Sequence, residues 1–360
     1  MASYRIIIST SIESRLKGIS AHVKYPKCKA EIAGDKFTFR SSCIIIECNR
    51  SNLQKKEEIE NNPGNTLRIQ IMRALLLYYA ANVQKARVYS ICVSQVTKMG
   101  KKVVTELIYN KPAEQPLRLI GVPPIYQYPI ADLVQNILAD DSHLYETIMS
   151  HWLGAWVVKG RYEQFERLWR CLEQLSVKSY HGVAVESTEK NCLTALRTYI
   201  ISHSASFPIA CAHVDAMDYN EFRSFFWKLL IFNNFKKTAK IGRYVDYRDL
   251  FVLPYHDERV VKMLKDTLVY RHDELDGFGF LDAVNNHITS VLASPQKKNE
   301  DVVAILSGYY AYYTRNKIFH GELSERSFNI CGSHEDDVID KLNALMVKVT
   351  FELIKIFQLL

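Results

Sequence analysis

Lys111-Pro112-Ala113-Glu114-Gln115-Pro116-Leu117-Arg118-Leu119-Ile120-Gly121-Val122-Pro123-Pro124-Ile125-Tyr126-Gln127-Tyr128-Pro129 is the stretch on which the fold turns. Each proline fixes its own backbone angle and disfavours helix in the residue before it, so a run with prolines at 112, 116, 123, 124 and 129 reads as a surface crossing between two regimes. Upstream, short β-branched and aromatic runs alternate with turn residues: Tyr4 to Ser9, Ala21 to Tyr25, Lys36 to Arg40, Cys43 to Cys48, then Arg87 to Val96 and Lys102 to Tyr109 around a hairpin-like Met99-Gly100-Lys101. One helix, Thr66 to Gln84, interrupts these strands after the Pro63-Gly64 turn signal. Downstream the period becomes helical, with candidate helices near 130 to 140, 142 to 158, 162 to 176, 186 to 203, 219 to 233, 257 to 270, 275 to 293, 298 to 320 and 334 to 359. The expected architecture is therefore α+β. A β-rich sensor or interaction domain with one or two helices fills 1–128, and an all-helical domain fills 129–360.

The chain has 360 residues, 48% of them hydrophobic and 24% charged, enough to bury substantial cores. Its formal charge of +7 favours a polyanionic partner without identifying one. No apolar run reaches the roughly eighteen residues that a bilayer crossing needs, and Met1 to Arg15 reads as a first strand instead of a signal peptide. Eight cysteines, with no Cys-x-x-Cys pair and mostly within apolar stretches, fit reduced core thiols and a cytoplasmic location.

The last two helices carry the strongest pattern. Val302, Leu306, Tyr309 and Tyr313 make one stripe, and Val338, Leu342, Leu345, Val349, Leu353, Ile356 and Leu360 make another, so these helices are expected to pack antiparallel. Ser333 with Asp336 gives the final helix a capping-box-like start. Continuing the first stripe from Tyr313 leads to Asn316 and then His320, placing two polar side chains where apolar ones are expected. Such local exceptions mark functional positions.

The segment Tyr312-Tyr313-Thr314-Arg315-Asn316-Lys317-Ile318-Phe319-His320-Gly321 resembles the motif of the HEPN superfamily: an Arg, a polar residue, a short spacer and a His near the end of one helix, with one more helix to follow. The resemblance covers the C-terminal part alone, with a HEPN-like core at about 215–360. It implies a helical bundle, a metal-independent ribonuclease of toxin or defence systems that needs no cofactor, a homodimer, and a regulatory or antitoxin protein that restrains it. Arg315, Asn316 and His320 are then the catalytic residues. Some toxin members carry a Tyr two residues after the His; Glu322 stands there in this chain, which argues against regulation by nucleotide addition at that position.

The residue types suit RNA cleavage by attack of the ribose 2′-hydroxyl on the adjacent phosphorus. A His can move the proton and an Arg can fork onto the phosphate oxygens as charge builds. On a helix Arg315 and His320 are roughly 140° apart, which favours a site shared by two chains over one tight pair. The competing reading is a non-catalytic RNA-binding or protein-interaction module built on the same bundle.

Two weaker matches to the same spacing exist. Arg15 to His22 lies among the strands, and Arg197 to His203 lies on a helix with Thr198 in the polar position but without the Asn and the Gly. Lys236, Lys237, Lys240, Arg243, Tyr244 and Arg248 interleave base with aromatics and, with Lys317, are the candidate RNA contacts. Cys211, His213 and Asp215 are metal-capable types without a second ligand pair at zinc spacing, so no metal site is assigned. Gly277-Phe278-Gly279-Phe280 lacks both the preceding strand and the third glycine of a dinucleotide fingerprint.

Overall fold

In the computed structural model, residues 2–10, 14–24, 34–82, 88–96, 102–109, 123–138, 143–179, 188–232, 241–321 and 334–357 are described. The Met99-Gly100-Lys101 turn, most of the proline crossing, Glu322 and Ser333 lie outside them. The layout is α+β, an antiparallel sheet followed by a mostly helical region.

The chain divides into two compact units, Met1–Val158 and Lys159–Leu360. The first unit contains the strands β1 (Ala2–Thr10), β2 (Ser20–Lys24), β3 (Gly34–Phe39), β4 (Cys43–Arg50), β5 (Val88–Val96) and β6 (Lys102–Tyr109), with helices α1 (Lys56–Asn61), α2 (Thr66–Ala81), α3 (Ile130–Leu138) and α4 (His143–Ala155). The sheet order is β2-β3-β4-β1-β5-β6, antiparallel throughout. β1 is an inner strand, and its Tyr4, Ile6 and Ile8 alternate into the core, with Ile6 opposite Ile46 on one side and Val93 on the other. The unit runs past the boundary expected near 128, because α3 and α4 pack on α2. The prolines thus punctuate this unit and do not end it.

Helix α2 starts where the Asn65 side chain accepts from the backbone N–H groups of Leu67 and Arg68. It is buried around nearly its whole circumference, which explains its lack of a polar face. Two of its inward polar residues reach charged partners, while the Gln70 Oε1 is buried without a hydrogen bond among the described residues. Gln70 donates to Asp35 on β3 at 2.8 Å, and the buried Arg73 pairs with Glu146 on α4.

The second unit is helical: α5 (Arg161–Ser179), α6 (Glu189–Ser202), α7 (Pro208–Asp215), α8 (Tyr219–Phe232), α9 (Ile241–Asp246), α10 (Glu258–Thr267), α11 (His272–Gly277), α12 (Leu281–Ala293), α13 (Asn299–Ile305), α14 (Ala311–Phe319) and α15 (His334–Phe357). The final helix does not lie mainly along the penultimate one as the stripes suggest. α15 packs chiefly on α5 and then on α7. Tyr162 on α5 donates to Asp336, Arg161 pairs with Asp340 at 3.3 Å, and Asn343 donates to the Arg161 carbonyl. At the other end the buried Glu352 accepts from the backbone N–H groups of Ile209 and Ala210, capping α7 just after Pro208. Helices upstream of residue 215 are therefore integral to this body, which is larger than the 215–360 core expected from the motif alone.

Candidate functional site

The segment 299–319 reads as one helix in the sequence, but a π-turn, Leu306–Tyr310, separates α13 from α14. A π-turn takes more residues per turn than an α-helix, so the buried face steps by four: Val302, Leu306, Tyr310 and Thr314 are all inside. Tyr309 and Tyr313, expected on the core stripe, are half-buried instead. The shift carries Asn316 and His320 off the buried face. Their polarity is thus no exception to the pattern; it is what a half-exposed and an exposed position require.

A close packing contact meets the π-turn from across the bundle. The buried Arg197 of α6 passes over Gly308, and a Cβ there would come within 2.5 Å of the Arg197 Cγ, so the close approach needs glycine. The same guanidinium lies 3.8 Å from the centre of the Tyr309 ring, and its Nη2 donates to Thr194 at 2.8 Å. Tyr309 in turn donates through its hydroxyl to the Leu250 carbonyl at 2.6 Å. Leu250 sits in a second π-turn, Tyr247–Val252, which continues α9. Wide turns leave carbonyls without their usual helical partners, and this phenol satisfies one of them. Gly308→Ala should therefore lower stability by about 1–3 kcal/mol, the usual range for overpacking a filled site. An unchanged urea midpoint would mean that Arg197 moves aside without cost.

The three motif residues lie at the C-terminal end of α14, where Arg315 and Asn316 meet through their side chains and His320 joins Asn316 through its backbone N–H. The Arg315 Nη1 donates to Asn316 Oδ1 at 2.9 Å, and the guanidinium carbon lies 4.4 Å from the centre of the Phe319 ring. His320 is the C-cap, its side chain exposed and its backbone N–H donating to the Asn316 carbonyl at 2.9 Å. Gly321 follows with φ +69°, the left-handed conformation that ends helices and that glycine adopts without strain. The His-Gly pair thus closes the helix, and the imidazole is exposed. One turn back on the same face as Arg315 and Asn316, Tyr312 packs near Trp169 of α5, with ring centres 6.1 Å apart, fixing the helix against the bundle. Phe319 is 58% exposed beside the motif, an unusual exposure for a large apolar ring.

The other sequence candidates fare unevenly. Lys236, Lys237 and Lys240 lie outside the described residues. Tyr244 is buried, with its ring 5.2 Å from that of Phe278, so it is placed to hold the core and not to stack on a base. Arg248 forms a two-point pair with Asp249 at 2.5 and 2.8 Å and covers the Phe280 ring. Arg243 is exposed, and the Lys317 ammonium lies 5.7 Å from the centre of the Tyr313 ring. The Arg197 to His203 match separates: Arg197 is buried, whereas His203 is exposed and stacked on Tyr199.

Cys211, His213 and Asp215 lie on helix α7, where alternate positions point apart, and Asp215 pairs with Lys297 at 3.1 Å. Burial lowers the His213 pKa to about 4 and raises the Cys211 thiol to about 11. Among the described residues no group of three His, Cys, Asp or Glu is arranged to hold a metal ion. Nor is any helix among them long and apolar enough to cross a membrane.

In comparison with known proteins, no family model, no curated protein and no solved structure matches this chain.

Proposed function

We propose that this chain is a metal-independent endoribonuclease of the HEPN type, a cytoplasmic toxin or defence effector that works as a homodimer restrained by a regulatory protein. The observation that carries the reading is the grouping of Arg315, Asn316 and His320 at one solvent-facing helix end, the Arg and Asn already hydrogen-bonded to each other. The half-buried Arg315 and Asn316 and the exposed His320 supply the basic, polar and titratable groups that phosphodiester transfer needs.

In the reaction the RNA 2′-oxygen bonds to phosphorus and the bond from phosphorus to the 5′-oxygen breaks. One imidazole accepts the proton of the 2′-hydroxyl, and the departing 5′-oxygen takes a proton from a second imidazole. Arg315 neutralises the charge that grows on the phosphate oxygens, and Asn316 holds the guanidinium in plane. Two copies related by a twofold axis bring two such helix ends to one cleft and supply both histidines.

Arg315→Lys tests the role of the fork. An ammonium cannot offer two parallel N–H groups, so cleavage should fall by about 10², the scale for losing one oriented donor. A fully active Lys variant would remove Arg315 from this role. The shared site is read by mixing wild-type with His320→Ala chains: activity should drop by more than the mutant fraction, and a strictly proportional drop would mean independent monomers.

A further inference from the structure

Helix α8 is amphipathic in a particular way. Phe222, Phe225, Phe226, Leu229 and Leu230 are buried, while Tyr219, Arg223 and Trp227, each four residues apart, form an outer row in which the first two are exposed and Trp227 is half-buried. Tyr219 is 54% exposed, and the Lys262 ammonium of α10 lies 5.7 Å from the centre of its ring. One turn on, the Arg223 guanidinium is 4.8 Å from the centre of the Trp227 ring. Trp227 meets Tyr270 edge to face at 5.9 Å, and Tyr270 and Val269 are 50% and 74% exposed.

Among the described residues neither Arg223 nor Lys262 forms an ion pair. Asp218, at the start of the row, directs its carboxylate to the Glu221 backbone N–H, and on α10 Glu258 and Asp266 stand one turn either side of Lys262. The surface thus alternates aromatic rings with two cations that form no ion pair among the described residues.

We propose that the row Tyr219, Arg223, Trp227, Lys262 and Tyr270 is a binding surface for single-stranded RNA, with bases stacking on the rings and phosphates meeting the two cations. This deepens the nuclease reading and rests on it for the choice of RNA. Stacking platforms beside positive charge bind single strands with little sequence preference. A duplex keeps its bases stacked inside and offers no ring faces. A protein partner would call for a continuous apolar patch, and here the cations interrupt it.

The probe is a fluorescein-labelled 12-nucleotide uridine-rich RNA, added to the full chain carrying His320→Ala so that it stays intact. Anisotropy should show binding that Trp227→Ala and the charge reversal Arg223→Glu each weaken about tenfold or more. Arg223→Glu should also flatten the dependence on salt. Trp227→Phe keeps a stacking ring, so it should bind within about threefold of the parent while losing the quenching of tryptophan emission that RNA causes in the parent. Arg223 is exposed, so its reversal leaves the fold intact, which far-ultraviolet circular dichroism checks. The surface assignment is overturned if the variants bind like the parent, if a duplex of the same length binds as tightly, or if no RNA binds, the last leaving a protein as the occupant. Cleavage by the native chain is scored separately. RNA bound through this row without cleavage would sink the nuclease reading and keep the surface, and cleavage unaffected by Arg223→Glu would do the reverse.

Discussion

His320→Ala should lower RNA cleavage by about 10² or more, the usual cost of losing a general acid or base, and leave the unfolding midpoint where it was. Both halves of this expectation come from the placement of the side chain. The imidazole is exposed at the C-cap of α14, and the hydrogen bond that closes the helix there uses the backbone N–H, which alanine retains. Exposed substitutions away from packing features stay within about 0.5 kcal/mol. Gel-resolved RNA degradation and a urea titration on the same preparation read the two effects. Loss of folding with the substitution would mean that His320 is a structural residue, and cleavage unchanged would remove it from the chemistry.

Asp35→Ala should cost about 3–5 kcal/mol in the sheet unit, the scale for stranding the partner of a buried ion pair. Asp35 and Arg50 are 1% and 4% exposed at the side chain and joined by two hydrogen bonds of 2.8 and 2.7 Å. Gln70 of α2 donates to the same carboxylate, and Arg50 donates through Nε to Thr66 at the start of that helix. The pair therefore ties β3 and β4 to α2. Removing the carboxylate strands a guanidinium in the interior, whereas replacing both partners by apolar residues, as in Asp35→Leu with Arg50→Met, should cost less than Asp35→Ala alone. Urea unfolding of the single and double variants measures the difference. A single variant as stable as the native chain would show that water reaches Arg50.

These two sites differ in how far the sequence reveals them. The alternation in β1 and β4 and the period of α15 are local patterns, and the strands and helices expected from them match the elements observed to within a few residues. Asp35 and Arg50 carry no such signal, because their pairing spans two strands and is set by the register of β3 against β4. α7 falls between the expected helices 186 to 203 and 219 to 233; it starts at Pro208, where a proline in the first helical turn loses no hydrogen bond. α9 with its π-turn was missed because the bases and aromatics at 236–248 read as a loop.

The Arg315, Asn316 and His320 spacing is legible in the sequence, but the stripe expected to lead to them runs through 306–310 as if the helix were regular. Within the π-turn Arg197 meets Gly308, residues more than a hundred positions apart, and no period in either segment announces the contact. The glycine inside an apolar helix was the available signal, since a conserved period gives no reason for it and a close approach does. Likewise Tyr219, Arg223 and Trp227 stand four apart in the sequence, yet the cation of Lys262 and the edge of Tyr270 join them only in the folded bundle.

The measurement that bears most directly on the proposed activity is the identity of the ends left on cleaved RNA in excess EDTA. Purified native chain and its Arg315→Lys and His320→Ala variants are incubated with a defined single-stranded RNA, and the fragments are weighed by mass spectrometry. Transfer through the 2′-hydroxyl predicts a 2′,3′-cyclic phosphate on one fragment and a 5′-hydroxyl on the other, formed by the native chain and suppressed in both variants. No cleavage by the native chain, activity that EDTA abolishes and magnesium restores, or fragments ending in 5′-phosphate would contradict it.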